Sequence, residues 1–193
     1  MSPELWWYTA RAGGIVALAL TGASVFWGLL VSTRVLQGRP SPKWLLDLHR
    51  FLGGSAVVFT IVHVLALVAD SYVHFGWMDV LIPFASAWNP VAVGLGVIAA
   101  YLLIAVQGSS MLMKRLPRRL WKWIHLSSYG LFWLGLVHGA MAGTDAGNPL
   151  YIAGTALGTM AVLFLTLYRS LAQRRARSRA VRAVRPEPAA VEA

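Results

Sequence analysis

Five long apolar runs constrain the fold of this chain more than any other feature of its sequence. A hydrocarbon core is about 30 Å thick and a helix rises about 1.5 Å per residue, so a spanning helix needs about 20 mostly apolar residues. Each of the five runs reaches that length, and they lie at residues 12–33, 44–69, 90–111, 120–141 and 150–171. The sequence therefore predicts an all-α integral membrane protein, a bundle of about five transmembrane helices.

The composition also favours a membrane protein. Of the 193 residues, 58% are hydrophobic and 12% are charged, which leaves little polar surface for a water-soluble domain. A formal charge of +10 occurs in nucleic-acid-binding proteins, but here the basic residues lie beside the apolar runs. We therefore expect the lipid bilayer and no nucleic acid as a partner, and we expect a multi-pass protein of a bacterial cytoplasmic membrane.

The positions of the basic residues predict the orientation of the chain. Of the 17 Lys and Arg, all except Arg11 lie in or beside the segments that follow the first, third and fifth runs. Because cytoplasmic segments are enriched in Lys and Arg, the N-terminus is predicted outside and the C-terminus in the cytoplasm. Residues 1–11 would then be an external segment. Residues 172–193 would be an Arg-rich cytoplasmic tail, disordered or lying along anionic lipid.

Two apolar runs carry two histidines each. His49 and His63 are fourteen residues apart in the second run, roughly 21 Å along a helix, and His125 and His138 are thirteen residues apart in the fourth. Both runs are predicted to start at the inner face, so they run parallel. His49 is therefore expected level with His125, and His63 level with His138.

Four intramembrane imidazoles in two layers indicate a redox cofactor. Ionisable side chains are costly in lipid, and those found there usually face the protein interior and carry function. Two imidazoles that face each other at each of two depths suit two six-coordinate haem irons. The chain has no Cys, which excludes thiolate-bound iron–sulfur clusters and covalently attached c-type haem. A single His in an apolar span is more often a packing residue, so the prediction depends on the matched pairs.

The thirteen-residue spacing needs a departure from ideal helix geometry. At about 100° per residue, His138 would point some 140° away from His125. A bend between them, with Gly130 and Gly135 as candidates, is predicted to reduce this angle.

Cations and small residues near the histidines extend the predicted site. Arg50, Arg119 and Lys122 lie within a turn or two of the inner pair and could bind haem propionates, and Arg11 is the external candidate. Glycines on the two histidine-bearing runs would leave room for a macrocycle, although close helix packing explains them equally well. These glycines are Gly53, Gly54, Gly130, Gly135 and Gly139.

The chain resembles the ferric reductase-like transmembrane domain, the haem b membrane core of ferric reductases, NADPH oxidases and the methionine sulfoxide reductase haem subunit. The resemblance covers residues 12–171. It rests on Leu48-His49-Arg50-x-Leu52-Gly53 with His63 fourteen residues on, and on Trp123-x-His125 with His138 thirteen residues on. It implies that His49 and His125 ligate an inner haem b, that His63 and His138 ligate an outer one, and that electrons pass outward from the cytoplasmic face.

The chain departs from the family's oxidases in carrying no flavin and nicotinamide domain after residue 171 and no G-x-G-x-x-G motif. We therefore expect a separate donor: a cytoplasmic flavoprotein reductase, a quinol, or a flavin that is loosely held. An extracytoplasmic protein or Fe(III) is the expected acceptor, and the chain would be an oxidoreductase component rather than a self-contained enzyme.

Two other functions remain open on the sequence. A His-lined transporter or metal channel would need polar groups between the layers, and the runs offer Ser55, Thr60, Ser127 and Ser128 but no acid. A haem-free membrane scaffold would bind no pigment. His74, in the segment after the second run, is predicted to be solvated, with metal or acceptor binding as the weaker alternative.

Overall fold

The computed structural model of the protein describes residues 3–33, 41–71 and 74–184, and over these residues the chain is helical with no strand. Seven helices follow one another along the chain. They are α1 (Pro3–Thr33), α2 (Pro42–Ala69), α3 (Trp77–Leu81), α4 (Pro90–Met111), α5 (Arg118–Leu126), α6 (Ser128–Ala142) and α7 (Pro149–Val184). The predicted all-α class is confirmed.

Proline and polar caps define where the long helices begin. Pro42 and Pro90 occupy the first turns of α2 and α4, where a missing backbone N–H costs nothing. The Ser41 hydroxyl accepts the N–H of Trp44 at 3.3 Å, and the Asn89 side chain accepts the N–H of Ala92 at 3.4 Å. These caps fix the residues at which α2 and α4 begin.

Four described helices are long and apolar enough to cross a membrane, namely α1, α2, α4 and α7. The fourth predicted run is instead divided at Ser127 into α5 and α6, so neither piece alone has the length of a span. The Ser127 N–H bonds to the carbonyl of Ile124, three residues back, at 3.1 Å, and its hydroxyl bonds to the same carbonyl at 2.6 Å. The predicted change of winding between His125 and His138 therefore occurs at Ser127, and the helical segment continues through Gly130 and Gly135.

Two helix boundaries differ from the sequence prediction. Helix α1 begins at Pro3, so most of the predicted external segment is helical and continuous with the first run. Helix α7 continues to Val184, and residues 172–184 are helical where disorder was expected. Residues 185–193 of the predicted tail lie outside the described residues.

The helices pack as two neighbouring pairs, α1 with α2 and α4 with α6, and α7 lies against α1. Ala56, Ala99, Leu103 and Leu131 form a buried cluster between α2, α4 and α6. A second cluster joins α1, α6 and α7 through Val25, Leu29, Phe132, Val162 and Leu165. The arrangement brings α2 face to face with α5 and α6, which positions the four histidines.

Candidate functional site

The structure brings the four histidines together in two pairs. The ring centroids of His49 and His125 are 5.9 Å apart, and those of His63 and His138 are 6.2 Å apart. The planes of the two rings meet at 74° in the first pair and at 76° in the second. We call His49 and His125 the inner layer and His63 and His138 the outer layer, after the predicted orientation. This is the pairing expected from the spacing along the two runs.

Backbone carbonyls hold three of the four rings from behind. His63 Nδ1 lies 2.7 Å from the carbonyl oxygen of Ala10 on α1, and His138 Nδ1 lies 2.7 Å from that of Ala92 on α4. His49 Nδ1 lies 3.0 Å from the Ser24 carbonyl oxygen on α1. A carbonyl only accepts, so each Nδ1 carries the proton and donates it. Each Nε2 therefore keeps its lone pair, the form in which imidazole binds a metal.

His125 reaches the same state through a hydroxyl. Its Nδ1 lies 3.3 Å from Ser110 Oγ on α4. The Ser110 hydroxyl donates to the carbonyl of Val106 at 2.7 Å, so its oxygen is left to accept from His125. All four histidines thus have Nδ1 bound by a helix behind them, α1 for the pair on α2 and α4 for the pair on α5 and α6.

Glycines on α1 and α4 let these supporting helices approach the rings. A Cβ added at Gly14 would lie 3.0 Å from His63 Nδ1, and one at Gly28 would lie 3.1 Å from His49 Cε1. A Cβ at Gly96 would lie 2.7 Å from His138 Cε1. Larger residues at these positions would displace the rings, so the glycines help set where the imidazoles stand.

Buried apolar side chains lie between the two layers. Ala56 is seven residues from both His49 and His63 along α2, and it is fully buried. It packs in the cluster that contains Leu131, which lies between His125 and His138 along the chain. The two imidazole pairs are therefore separate sites within one bundle.

A cavity of about 480 Å³ lies at the outer layer. His63 and His138 are among the residues that line it, with Trp7, Trp88 and Tyr151. Its volume is within the range of about 300–1,000 Å³ that is usual for ligand pockets. The outer pair thus faces a space large enough for a bound organic group.

Arg11 and Asp145 form an ion pair in the wall of this cavity. The Arg11 Nε donates to Asp145 Oδ2 at 2.9 Å, and a terminal guanidinium nitrogen donates to Oδ1. The pair joins α1 to the segment between α6 and α7. Arg11, predicted as a propionate partner, therefore has a carboxylate partner within the protein, and its predicted role is not tested by this contact.

We predict a modest energetic coupling between Arg11 and Asp145. Both side chains are partly exposed, with relative exposures of 35% and 19%, so solvent weakens their attraction. A double-mutant cycle with Arg11→Ala and Asp145→Ala should give a coupling of about 0.5–1 kcal/mol in thermal unfolding, smaller at high salt. Additive effects of the two substitutions would show that the contact contributes nothing to stability.

The predicted inner cations lie at the protein surface. Arg50 is paired with Asp47 at 3.5 Å, and both side chains are exposed. Arg119 and Lys122 are also exposed.

Two buried indole N–H groups, of Trp27 and Trp121, have no hydrogen-bond partner among the described residues, and the Trp121 ring stacks on His125 at 5.1 Å.

The residues present fit a metal held between each pair. An imidazole nitrogen lies roughly 1.1 Å from its ring centre and binds a metal at about 2.0 Å, so two opposed imidazoles have centres roughly 6 Å apart. The observed 5.9 and 6.2 Å agree with this separation. The unpartnered indole of Trp121 offers a donor to an acceptor of a bound group beside the inner pair.

Each pair supplies only two protein ligands. Among the described residues no group of three or more His, Cys, Asp and Glu side chains could hold a metal ion by itself. A macrocycle that brings its own four nitrogens needs only these two.

His74 has a left-handed backbone, with a φ of 57°, and is exposed at the segment before α3.

Sequence reasoning missed the groups that support the imidazoles. Ala10, Ser24, Ala92 and Ser110 lie on helices without histidine, and three of them act through the backbone carbonyl, which no residue pattern reveals. One signal was present: Ala10 and Gly14 on α1, and Ala92 and Gly96 on α4, have the same spacing. The glycines that the sequence singled out are placed differently. Added Cβ atoms at Gly53, Gly135 and Gly139 would meet Gln107, Leu18 and Tyr151.

The fold defines an all-helical integral membrane bundle in which two pairs of histidines face each other between helices. The family model described as ferric reductase like transmembrane component matches residues 13–136, which is more than half of the chain. The chain therefore belongs to the ferric reductase-like transmembrane family, as its sequence resemblance implied. The match includes His49, His63 and His125 and ends just before His138. No curated protein and no solved structure matched. Membership supports a role in membrane electron transfer.

Proposed function

We propose that this protein carries electrons across the bilayer through two haem b groups, one bound by the inner layer and one by the outer layer. The proposal rests on one observation above all. In each of two pairs the imidazole centroids are roughly 6 Å apart, and every Nδ1 has a hydrogen-bond partner on a supporting helix, so every Nε2 keeps its lone pair. That arrangement presents two nitrogen lone pairs to each metal position.

The protein's own residues bind, orient and separate the two groups. His49 and His125 would hold the inner iron, and His63 and His138 the outer iron. When bound, each haem would supply one-electron transfer. Propionate partners are proposed at Arg50, Arg119 and Lys122 for the inner group and at Arg11 for the outer group.

The partners follow from the two ends of this path. A cytoplasmic flavoprotein reductase or a quinol is the proposed donor, and an extracytoplasmic protein or Fe(III) is the proposed acceptor. The acceptor would receive electrons at the outer layer, where His63 and His138 would hold the outer group. A flavin would take part only through a partner or as a loosely held group.

A reduced-minus-oxidised spectrum of the purified protein tests the proposal. We expect the α-band of a six-coordinate b-type haem and two haems per chain by extraction. A metal channel would bind metal ions without this band, and a membrane scaffold would bind no pigment. Absence of the band after expression with adequate haem would end the electron-transfer proposal.

Ser110→Ala should raise the midpoint potential of the inner group. The hydrogen bond that His125 donates to Ser110 makes the imidazole more electron-rich, which favours the oxidised iron. Losing a hydrogen bond of about 0.5–1.5 kcal/mol corresponds to roughly 20–60 mV for one electron. A potentiometric titration with optical detection measures the shift.

Ser109→Ala is the matched control. Ser109 is buried on the same helix and its hydroxyl donates to the same Val106 carbonyl, at 3.1 Å, but no bond joins it to a histidine. The midpoint potential of the inner group in Ser109→Ala should match that in the unmodified protein. Equal shifts in both variants would mean that Ser110 acts through general packing of α4.

A further inference from the structure

The segment between α2 and α4 carries an apolar surface that no other described part of the chain covers. Large apolar side chains of this segment are exposed, and they are Trp77, Met78, Leu81, Ile82, Phe84 and Trp88. Over residues 74–88 the only formally charged residue is Asp79. Its carboxylate accepts the Gly76 N–H at 2.8 Å, at the start of α3. A solvated loop would not be expected to keep so many large apolar groups in water.

Two contacts with α4 show how far the segment reaches along the bundle. The ring of Phe84 covers Gly94, where an added Cβ would lie 2.4 Å from it. The hydroxyl of Tyr101 donates to the Leu81 carbonyl at 2.6 Å. Gly94 and Tyr101 are four and eleven residues after Pro90, roughly 6 and 16 Å along α4. Because helical side chains lean toward the N-terminus, the Tyr101 hydroxyl lies roughly 10 Å inward from Pro90.

The outer imidazole layer gives an independent measure of this depth. His138 bonds to the carbonyl of Ala92 and lies against Gly96 on the same helix. The Leu81 carbonyl accepts a hydrogen bond from Tyr101. It therefore lies level with the outer layer or on the side of it that is nearer the inner layer. The surface of α4 is itself apolar and exposed on both sides of this level, at Val91 and Ile104. Exposed apolar side chains on both sides of this level are the pattern expected where hydrocarbon surrounds a bundle.

We propose that residues 76–88 form a re-entrant segment seated among the acyl chains of the leaflet at the outer layer. The chain enters beside Gly76, turns near Ile82 and returns to Asn89. Phe75, Val80 and Trp88 line the outer cavity, so the segment separates that cavity from lipid. This inference concerns the membrane surface of the protein and does not depend on haem.

Several backbone groups of the segment are bonded within the protein, as lipid requires. Non-helical backbone at membrane depth must have its polar groups bonded within the protein. The Ile82 N–H bonds to Met78 at 2.9 Å, and the Ala85 N–H bonds to Ile82 at 3.2 Å. The Leu81 carbonyl accepts a hydrogen bond from the Tyr101 hydroxyl. A tyrosine hydroxyl in hydrocarbon itself needs such a partner. Phe84 adopts a φ of 66°, which a side chain other than glycine takes up only in a tightly held turn.

Single-cysteine spin labelling tests the proposal directly, because the natural chain has no Cys. Nitroxide labels at Met78→Cys and Ile82→Cys are measured in lipid nanodiscs for collision with oxygen, which concentrates in acyl chains, and with a water-soluble nickel chelate. Both side chains are exposed, so the substitutions leave the contacts with α4 in place. Leu157→Cys, exposed on α7, is the lipid reference, and Gly147→Cys, in the turn before α7, is the aqueous reference.

We expect the ratio of oxygen to nickel collisions at both segment positions to match the lipid reference and to exceed the aqueous reference several-fold. Ile82→Cys should give the higher ratio of the two, since it is nearer the turn. Ratios equal to that of Gly147→Cys would overturn the proposal and place the segment in water. Adding Tyr101→Phe to Ile82→Cys should lower the ratio several-fold, and an unchanged ratio would overturn the anchoring role of Tyr101.

Discussion

Replacing His63 by alanine should remove about half of the bound haem. His63 is one of the two ligands proposed for the outer layer, and its ring centroid is 6.2 Å from that of His138. The inner layer lies roughly 21 Å away along α2 and has its own supporting contacts, so it should stay occupied. Haem extraction gives the stoichiometry, and a redox titration should show one component where the unmodified protein shows two.

The complementary variants sharpen this result. His138→Ala should reproduce the loss, because it removes the opposite ligand of the same layer. His49→Ala should remove the other redox component. His74→Ala is the control, since His74 lies outside both pairs and should leave the haem content unchanged. Loss of both haems in His63→Ala would show that the two layers are not independent.

Replacing Gly96 by alanine should also empty the outer layer, without touching a ligand. The added methyl would lie 2.7 Å from Nδ1 and Cε1 of His138, closer than van der Waals contact allows. Either the ring moves off the metal position or α4 moves away. Overpacking of this kind typically costs about 1–3 kcal/mol. We expect the haem content to fall by about half and the thermal unfolding temperature to drop.

Gly108→Ala is the matched control on the same helix. A Cβ at Gly108 would meet nothing within 4 Å, so the substitution adds the same methyl group without a clash. It should leave both haems bound and should leave stability unchanged or slightly raised, because alanine favours the helix. Full haem content in Gly96→Ala would show that close approach of α4 does not set the position of His138.

The pairing of the histidines could be predicted because it depends on quantities that sequence carries. Rise per residue fixes the depth of His49 and His63 on α2, and the charge pattern makes the two histidine-bearing runs parallel. The phase of His138 relative to His125 could not be obtained in this way. It depends on the local winding at Ser127, where a serine hydroxyl competes for a backbone carbonyl.

The depth of the segment before α4 was not predictable either. A run of five helical residues has no periodicity that fixes its position. Its place is set by Tyr101 and Gly94, which lie within the third apolar run and carry no sequence signal for this role.

The sequence alone determined the membrane class, the all-helical architecture, the family and the four histidines, because apolar run length, composition and residue spacing are properties of the chain itself. The tertiary structure decided what supports each imidazole. The carbonyls of Ala10, Ser24 and Ala92 and the hydroxyl of Ser110 come from helices that carry no histidine. A carbonyl is common to every residue, and only the packing of α1 on α2 and of α4 on α6 selects which carbonyl meets which ring.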